Sequence, residues 1–117
     1  MTVEARFVHG TPRMVDYTPG TAKTGGSVIV VGDVPLVAHR DIAANEKGAL
    51  ASGGGVYEMT AGEAIAAGKI VYWKAADGEV TETAGDGSIF GYLEPDSSAS
   101  NDGDLVRVIH MPNKTSI

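Results

Sequence analysis

Small glycine-bearing turns open onto short runs of β-branched and aromatic residues again and again along this chain, and that rhythm limits its fold more than any other feature. The clearest instance is Ala61 to Trp73, where Gly68 precedes Ile70-Val71-Tyr72-Trp73. Glycine takes a positive φ at little cost, and β-branched and aromatic residues favour the pleated strand. The same pattern recurs. Thr21 to Gly26 leads into Ser27 to Val31, and Gly32-Asp33 hands that strand over to Val34 to Ala38. Asp41 to Gly48 leads into Ala49-Leu50-Ala51, and Gly53-Gly54-Gly55 precedes Val56 to Met59. Ala76-Asp77-Gly78 precedes Glu79 to Thr83, Gly85-Asp86-Gly87 precedes Ser88 to Leu93, and Asn101 to Asp104 precedes Leu105 to Ile109. Roughly seven to nine short strands at spacings of about 8 to 12 residues predict a small, glycine-rich, all-β barrel or sandwich.

Helix has little support. Thr60 to Ala67 offers a Thr60 cap with Glu63 three residues on, but Gly68 closes it within a turn or two. One or two short helical turns are the most the sequence allows. At 117 residues the chain makes one domain. The expected division is an N-terminal arm or first hairpin over residues 1–20, a β-barrel domain over 21–111 and a flexible tail over 112–117. Seven aromatics against sixteen glycines leave Ala, Val and Ile to fill most of a thin core. Subunit contacts are therefore expected to supply part of the stability.

Charge and residue chemistry remove several functions. Nine Lys and Arg against fifteen Asp and Glu give a formal net charge of −6, and the basic residues are scattered from Arg6 to Lys114. Nucleic-acid binding needs a clustered basic surface, so no nucleic-acid partner is expected, and an anionic membrane is disfavoured for the same reason. No apolar run reaches signal-peptide or membrane-span length. The absence of cysteine excludes disulfides and thiolate sites and suits assembly in a reducing cytoplasm.

No catalytic pattern emerges. Gly62 to Ile70 imitates a phosphate-binding loop but has one residue too many before Gly68-Lys69, places Ile70 where a hydroxyl is required, and precedes a strand instead of a helix. His9, His39 and His110 lack metal-site spacing, and Asp102-Gly103-Asp104 lacks the ligand rhythm of a calcium loop. The remaining carboxylates fall in turns or on polar strand faces. The sequence thus predicts no enzyme, no cofactor and no metal.

The N-terminal segment is the most suggestive surface. Arg6-Phe7-Val8 and Met14-Val15-Asp16-Tyr17 are two short strand-like pieces separated by Gly10 and Pro12. They read either as a first hairpin or as an arm that adds a strand to a neighbour, because extended segments supply main-chain hydrogen bonds to an open edge. A second reading makes the domain a carbohydrate-type ligand module, with Trp73 or Tyr72 stacking on a sugar ring.

Several of these stretches, taken together in order and spacing, resemble the DUF2190 family of phage proteins. They are Phe7-Val8, Val15-Asp16-Tyr17-Thr18-Pro19, Val28 to Gly32, Asp41 to Ala44, Gly55 to Glu58, Ile65 to Trp73 and Ile89 to Tyr92. The resemblance runs over residues 5–110, with Asn45 standing where the family has glycine. It implies a capsid cement, or head decoration, protein of a tailed bacteriophage with a β-tulip or β-clip-like fold. On that reading the partner is the major capsid protein and the copies form a homotrimer on the virion surface; the capsid contact is expected on the N-terminal arm described above, at Arg6, Phe7, Val8, Met14, Val15, Asp16 and Tyr17, which the family itself does not assign.

Overall fold

The computed structural model describes residues 4–112 and is all-β, with ten strands and a single 3-10 turn at Ala84–Asp86. The strands are β1 (Arg6–Gly10), β2 (Met14–Tyr17), β3 (Val28–Val31), β4 (Val34–Ala38), β5 (Gly48–Ala51), β6 (Gly55–Thr60), β7 (Ile70–Lys74), β8 (Glu79–Thr81), β9 (Ser88–Leu93) and β10 (Leu105–His110). They form a six-stranded sheet ordered β1-β6-β10-β9-β7-β8 and a four-stranded sheet ordered β2-β5-β4-β3. All strand-to-strand ladders are antiparallel.

The strand runs expected from the turn rhythm are present. Of the barrel or sandwich expected, the structure is the sandwich, because neither sheet closes. The larger sheet curls until Ala61, just past β6, makes a parallel bridge with Val80 of β8, and the ladder stops there. The interior of that curl holds Met59, Ile65, Val71, Trp73, Phe90, Leu93, Val106 and Val108, and Val37 and Ala51 of the smaller sheet pack against it. The opposite face of the smaller sheet carries a second cluster of Ile29, Leu36, Ala38 and Leu50, covered by Ile42 from the Asp41–Gly48 connection. Alternation explains the split. Val37 faces one layer while Leu36 and Ala38 face the other, as period-two strands require.

The helix allowed at Thr60 to Ala67 is absent. Thr60 ends β6, while Ala61 and Ile65 are buried and tied into bridges, Ile65 with Ala99. Burial of two side chains four apart is achieved here by extended chain, so the capping pattern finds no helix to cap. Asn45 does adopt a left-handed conformation, at φ 64°, which Asn tolerates better than most residues.

The two sheets are joined by a feature that the sequence hides. β1 and β2 do not pair with each other, so the first-hairpin expectation fails. β2 pairs with β5 and β1 with β6, and the ladder is carried across the gap by Arg13 N–H donating to the Gly53 carbonyl and Ser52 N–H donating to the Arg13 carbonyl. Residues 6–17 are thus one bent edge strand running antiparallel to a bent strand over residues 48–60. A strand that bends to switch sheets makes the corner of a sandwich. The corner needs backbones in near contact. A Cβ on Gly10, at φ 109°, would lie 2.8 Å from the Gly54 carbonyl oxygen, and one on Gly54, at φ 93°, would lie 2.8 Å from that of Thr11.

Gly54→Ala is therefore expected to cost about 2–4 kcal/mol, from a left-handed conformation plus a backbone collision. Gly85→Ala meets nothing within 4 Å and should stay within about 0.5 kcal/mol. Urea unfolding of the two variants checks the contrast. The buried Trp73, 2% exposed, should give blue-shifted fluorescence that resists quenching, and an exposed-type spectrum would contradict the core described above.

Candidate functional site

The bent edge strand carries all seven residues expected at the capsid contact, and the structure distributes them over different faces. Arg6 is exposed and forms a 2.7 Å ion pair with Glu58, its cross-strand partner. An exposed pair of this kind contributes about 0–1 kcal/mol. Phe7 is 42% exposed and lies over His39 and Tyr57, with ring centroids 4.9 Å and 5.7 Å away. Val8 is the extra residue where the β1–β6 register shifts, a bulge that interrupts the open edge. Met14 and Val15 are exposed, Asp16 meets Lys47 Nζ at 3.5 Å, and Tyr17 packs against the cluster around Leu50.

Two adjoining depressions follow this strand and share His39. One is lined by Arg6, Phe7, Gly25, Gly26, His39 and Tyr57, the other by Met14, Asp16, Arg40, Asp41, Lys47 and neighbouring residues. Four of the seven expected residues, Arg6, Phe7, Met14 and Asp16, therefore border one continuous surface. His39, Arg40 and Lys47 belong to it as well. Sequence reasoning missed them because they lie in the connection after β4, far along the chain from Arg6.

Beneath this surface an aromatic and histidine stack links the two sheets. His39 Nε2 and the Tyr57 hydroxyl are 2.6 Å apart, joining the connection after β4 to β6. His110 Nε2 lies 2.8 Å from the Pro35 carbonyl, joining β10 to β4. A carbonyl only accepts, so Nε2 carries the proton and Nδ1 is a bare acceptor with no partner. The His110 ring sits 4.5 Å from Phe90 and 5.7 Å from Tyr57 by centroid. Burial pushes His110 down from 6.5 to about 4, against the opposing pull of the Pro35 carbonyl, with a small further lowering from His39. Burial likewise lowers His39 and raises the Tyr57 phenol.

Among the described residues no three His, Asp or Glu side chains approach closely enough to hold a metal. Trp73 lies in the core, so the sugar-stacking reading loses its principal residue. Tyr72 is half-buried beside Lys69, Ile70, Glu82 and Thr83 in a shallow, open cleft.

The family model for phage cement proteins matches residues 8–110. The chain belongs to the phage cement protein family. It is accordingly a structural protein associated with the phage capsid. The match takes in β2 to β10 and Val8 to Gly10 of β1, and so spans both sheets. The fold is also similar to the head fiber gp8.5 N base in bacteriophage phi29, at 17% identity and a TM-score of 0.49, covering 90% of this chain and 100% of that one. No curated protein matches the sequence.

The histidine stack makes stability pH-dependent. His110 binds its proton less readily in the folded state than in the unfolded chain. Below about 6.5 the unfolded state therefore takes up more protons, and stability falls with pH until about 4. The full shift corresponds to about 3 kcal/mol. The urea midpoint should drop between pH 7 and pH 4.5, and His110→Phe should flatten that slope, while an unchanged slope would contradict the assignment.

Proposed function

We propose that the protein is a cement protein that binds the major capsid protein on the outer surface of the expanded head and stabilises the shell against packaged DNA. It acts as a homotrimer at local three-fold positions of the virion, after synthesis and assembly in the bacterial cytoplasm. The observation that carries this reading is the family match over nearly the whole two-sheet unit. The open outer edge of residues 6–17 supports it, because a capsid segment can add main-chain hydrogen bonds there without any pocket or cofactor. An acidic surface fits a protein partner and not the packaged nucleic acid. Work of this kind is done by interface area and needs no active site, and no catalytic role is assigned.

Arg6, Phe7, Val8, Met14, Val15, Asp16 and Tyr17 are proposed as the contact strand, with Phe7 its apolar anchor. Purified protein mixed with expanded and unexpanded heads of the source phage should pellet with expanded heads, saturably, near one copy per capsid subunit. Phe7→Glu sets a charge on an exposed strand position and should weaken that binding at least tenfold without altering the thermal midpoint by more than a few degrees. Equal binding of the variant would remove Phe7 from the interface. Failure of the parent protein to pellet with either form of head would remove the cement reading.

A further inference from the structure

Among the described residues the smaller sheet has two open edges, β2 and β3, and they complement each other. We propose that copies of this protein join through these edges, β2 of one copy pairing antiparallel with β3 of the next. The inference rests on the oligomeric cement reading and names its contact.

Strand direction comes first. Four strands in strict antiparallel order make β2 and β3 run oppositely. A second copy rotated about an axis along the strands therefore sets its β3 antiparallel to β2 of the first. Such a head-to-tail contact repeats from copy to copy, and it closes into a ring when the rotation between copies divides the circle evenly, as the proposed trimer requires.

Register follows from the hydrogen-bonding alternation of an antiparallel ladder. Arg13 exchanges bonds with Ser52 and Gly53, so Met14 and Asp16 direct their main-chain groups outward. Ser27 accepts from Ala38 N–H, so Val28 and Val30 direct theirs outward from β3. The Val28 N–H is already taken by Glu4 Oε1 at 2.8 Å, leaving the Val28 carbonyl and both groups of Val30. Pairing Met14 with Val30 of the neighbour also pairs Asp16 with Val28.

Side chains agree with that register on both faces. Met14 opposes Ala51, and Val30 shares a face with Val28, which opposes Val37, so Met14 and Val30 both project toward the larger sheet. They are 44% and 43% exposed in a single copy, and the pairing places them directly opposite each other. Val15, 37% exposed, opposes Leu50 and lies on the other face, where Ile29 and Val31 of the neighbour arrive. Arg13 comes diagonal to Asp33 of the neighbour. Asp16 comes near Glu4 of the neighbour but already carries Lys47.

The alternatives fit less well. β3 against β3 leaves Met14 and Val15 uncovered, and β2 against β2 leaves Val30 and Val31 uncovered. The β3 edge also has no charge, proline or bulge within Val28–Val31, whereas β1 is protected by its Val8 bulge. On this pairing the capsid contact proposed above narrows to Arg6, Phe7 and Val8, and Met14 to Tyr17 pass to the neighbouring copy.

The chain has no cysteine, which makes the test clean. In one copy Met14 and Val30 stand three strand spacings apart, roughly 14 Å, too far for a disulfide, whereas directly opposed residues lie about 5.5 Å apart. The double variant Met14→Cys with Val30→Cys is bound to expanded heads at saturation, oxidised, and run without reductant beside each single variant and the parent. Covalent oligomers ending at the ring size, found in the double variant alone, are the expected result. A double variant that pellets but stays monomeric overturns the interface and leaves the cement reading standing. Equal cross-linking of Val30→Cys or Met14→Cys alone overturns it in favour of like-with-like pairing. Should the parent not pellet at all, the cement reading fails, and oxidation in concentrated solution decides the interface: oligomers of the double variant alone support it, and monomers overturn it.

Discussion

The structure depends on one bent ribbon, residues 6–17 against residues 48–60, whose ladder crosses from one sheet to the other without a break. Each half of the ribbon gives a sheet its edge and its neighbour strand. If the bend failed, the sheets would lose the covalent and hydrogen-bonded hinge that sets their inner faces together. Gly54 and Gly10 on the opposing strand make the bend possible, because each has a positive φ and the two backbones come closer there than any side chain allows. The cost is conformational entropy in the unfolded chain, which the buried cores on both faces of the smaller sheet offset.

Above that hinge, two histidines hold the layers at a fixed spacing. Each is a polar group in a mostly aromatic setting, and each finds a partner on the other side of the interface. A hydrogen bond in such surroundings contributes only about 1 kcal/mol net, but losing one partner costs more, since the other is left buried and unsatisfied. The stack therefore specifies how the sheets meet more than it stabilises them. The bare Nδ1 of His110 keeps that specification tied to the neutral ring.

The shape that results suits a protein whose activity is contact. The larger sheet curls around its buried core, with Phe7, Ile70 and Leu105 exposed on its strands. The smaller sheet has two edges free among the described residues and carries exposed Met14, Val15, Val30 and Val31. Apolar side chains exposed along unpaired strands are a liability in an isolated protein and an asset in one that works within a shell.

The turn rhythm of the sequence determined where strands begin and end, because glycine and β-branched residues act locally on φ and ψ. It determined the all-β class, the scarcity of helix, the left-handed turn at Asn45 and the family likeness. Thr60 to Ala67 shows the limit of local reading: a plausible cap was overruled because Ala61 and Ile65 are worth more buried in bridges. Tertiary structure alone decided that residues 6–17 are one strand split between two sheets, since the partners that divide it lie about 40 residues away and no local signal names them. It alone also brought His39, Arg40 and Lys47 beside Phe7 and Met14. Strand formation is a property of neighbours in sequence, whereas pairing and site assembly are decided by which distant backbones can approach, and here glycine at the corner settled that.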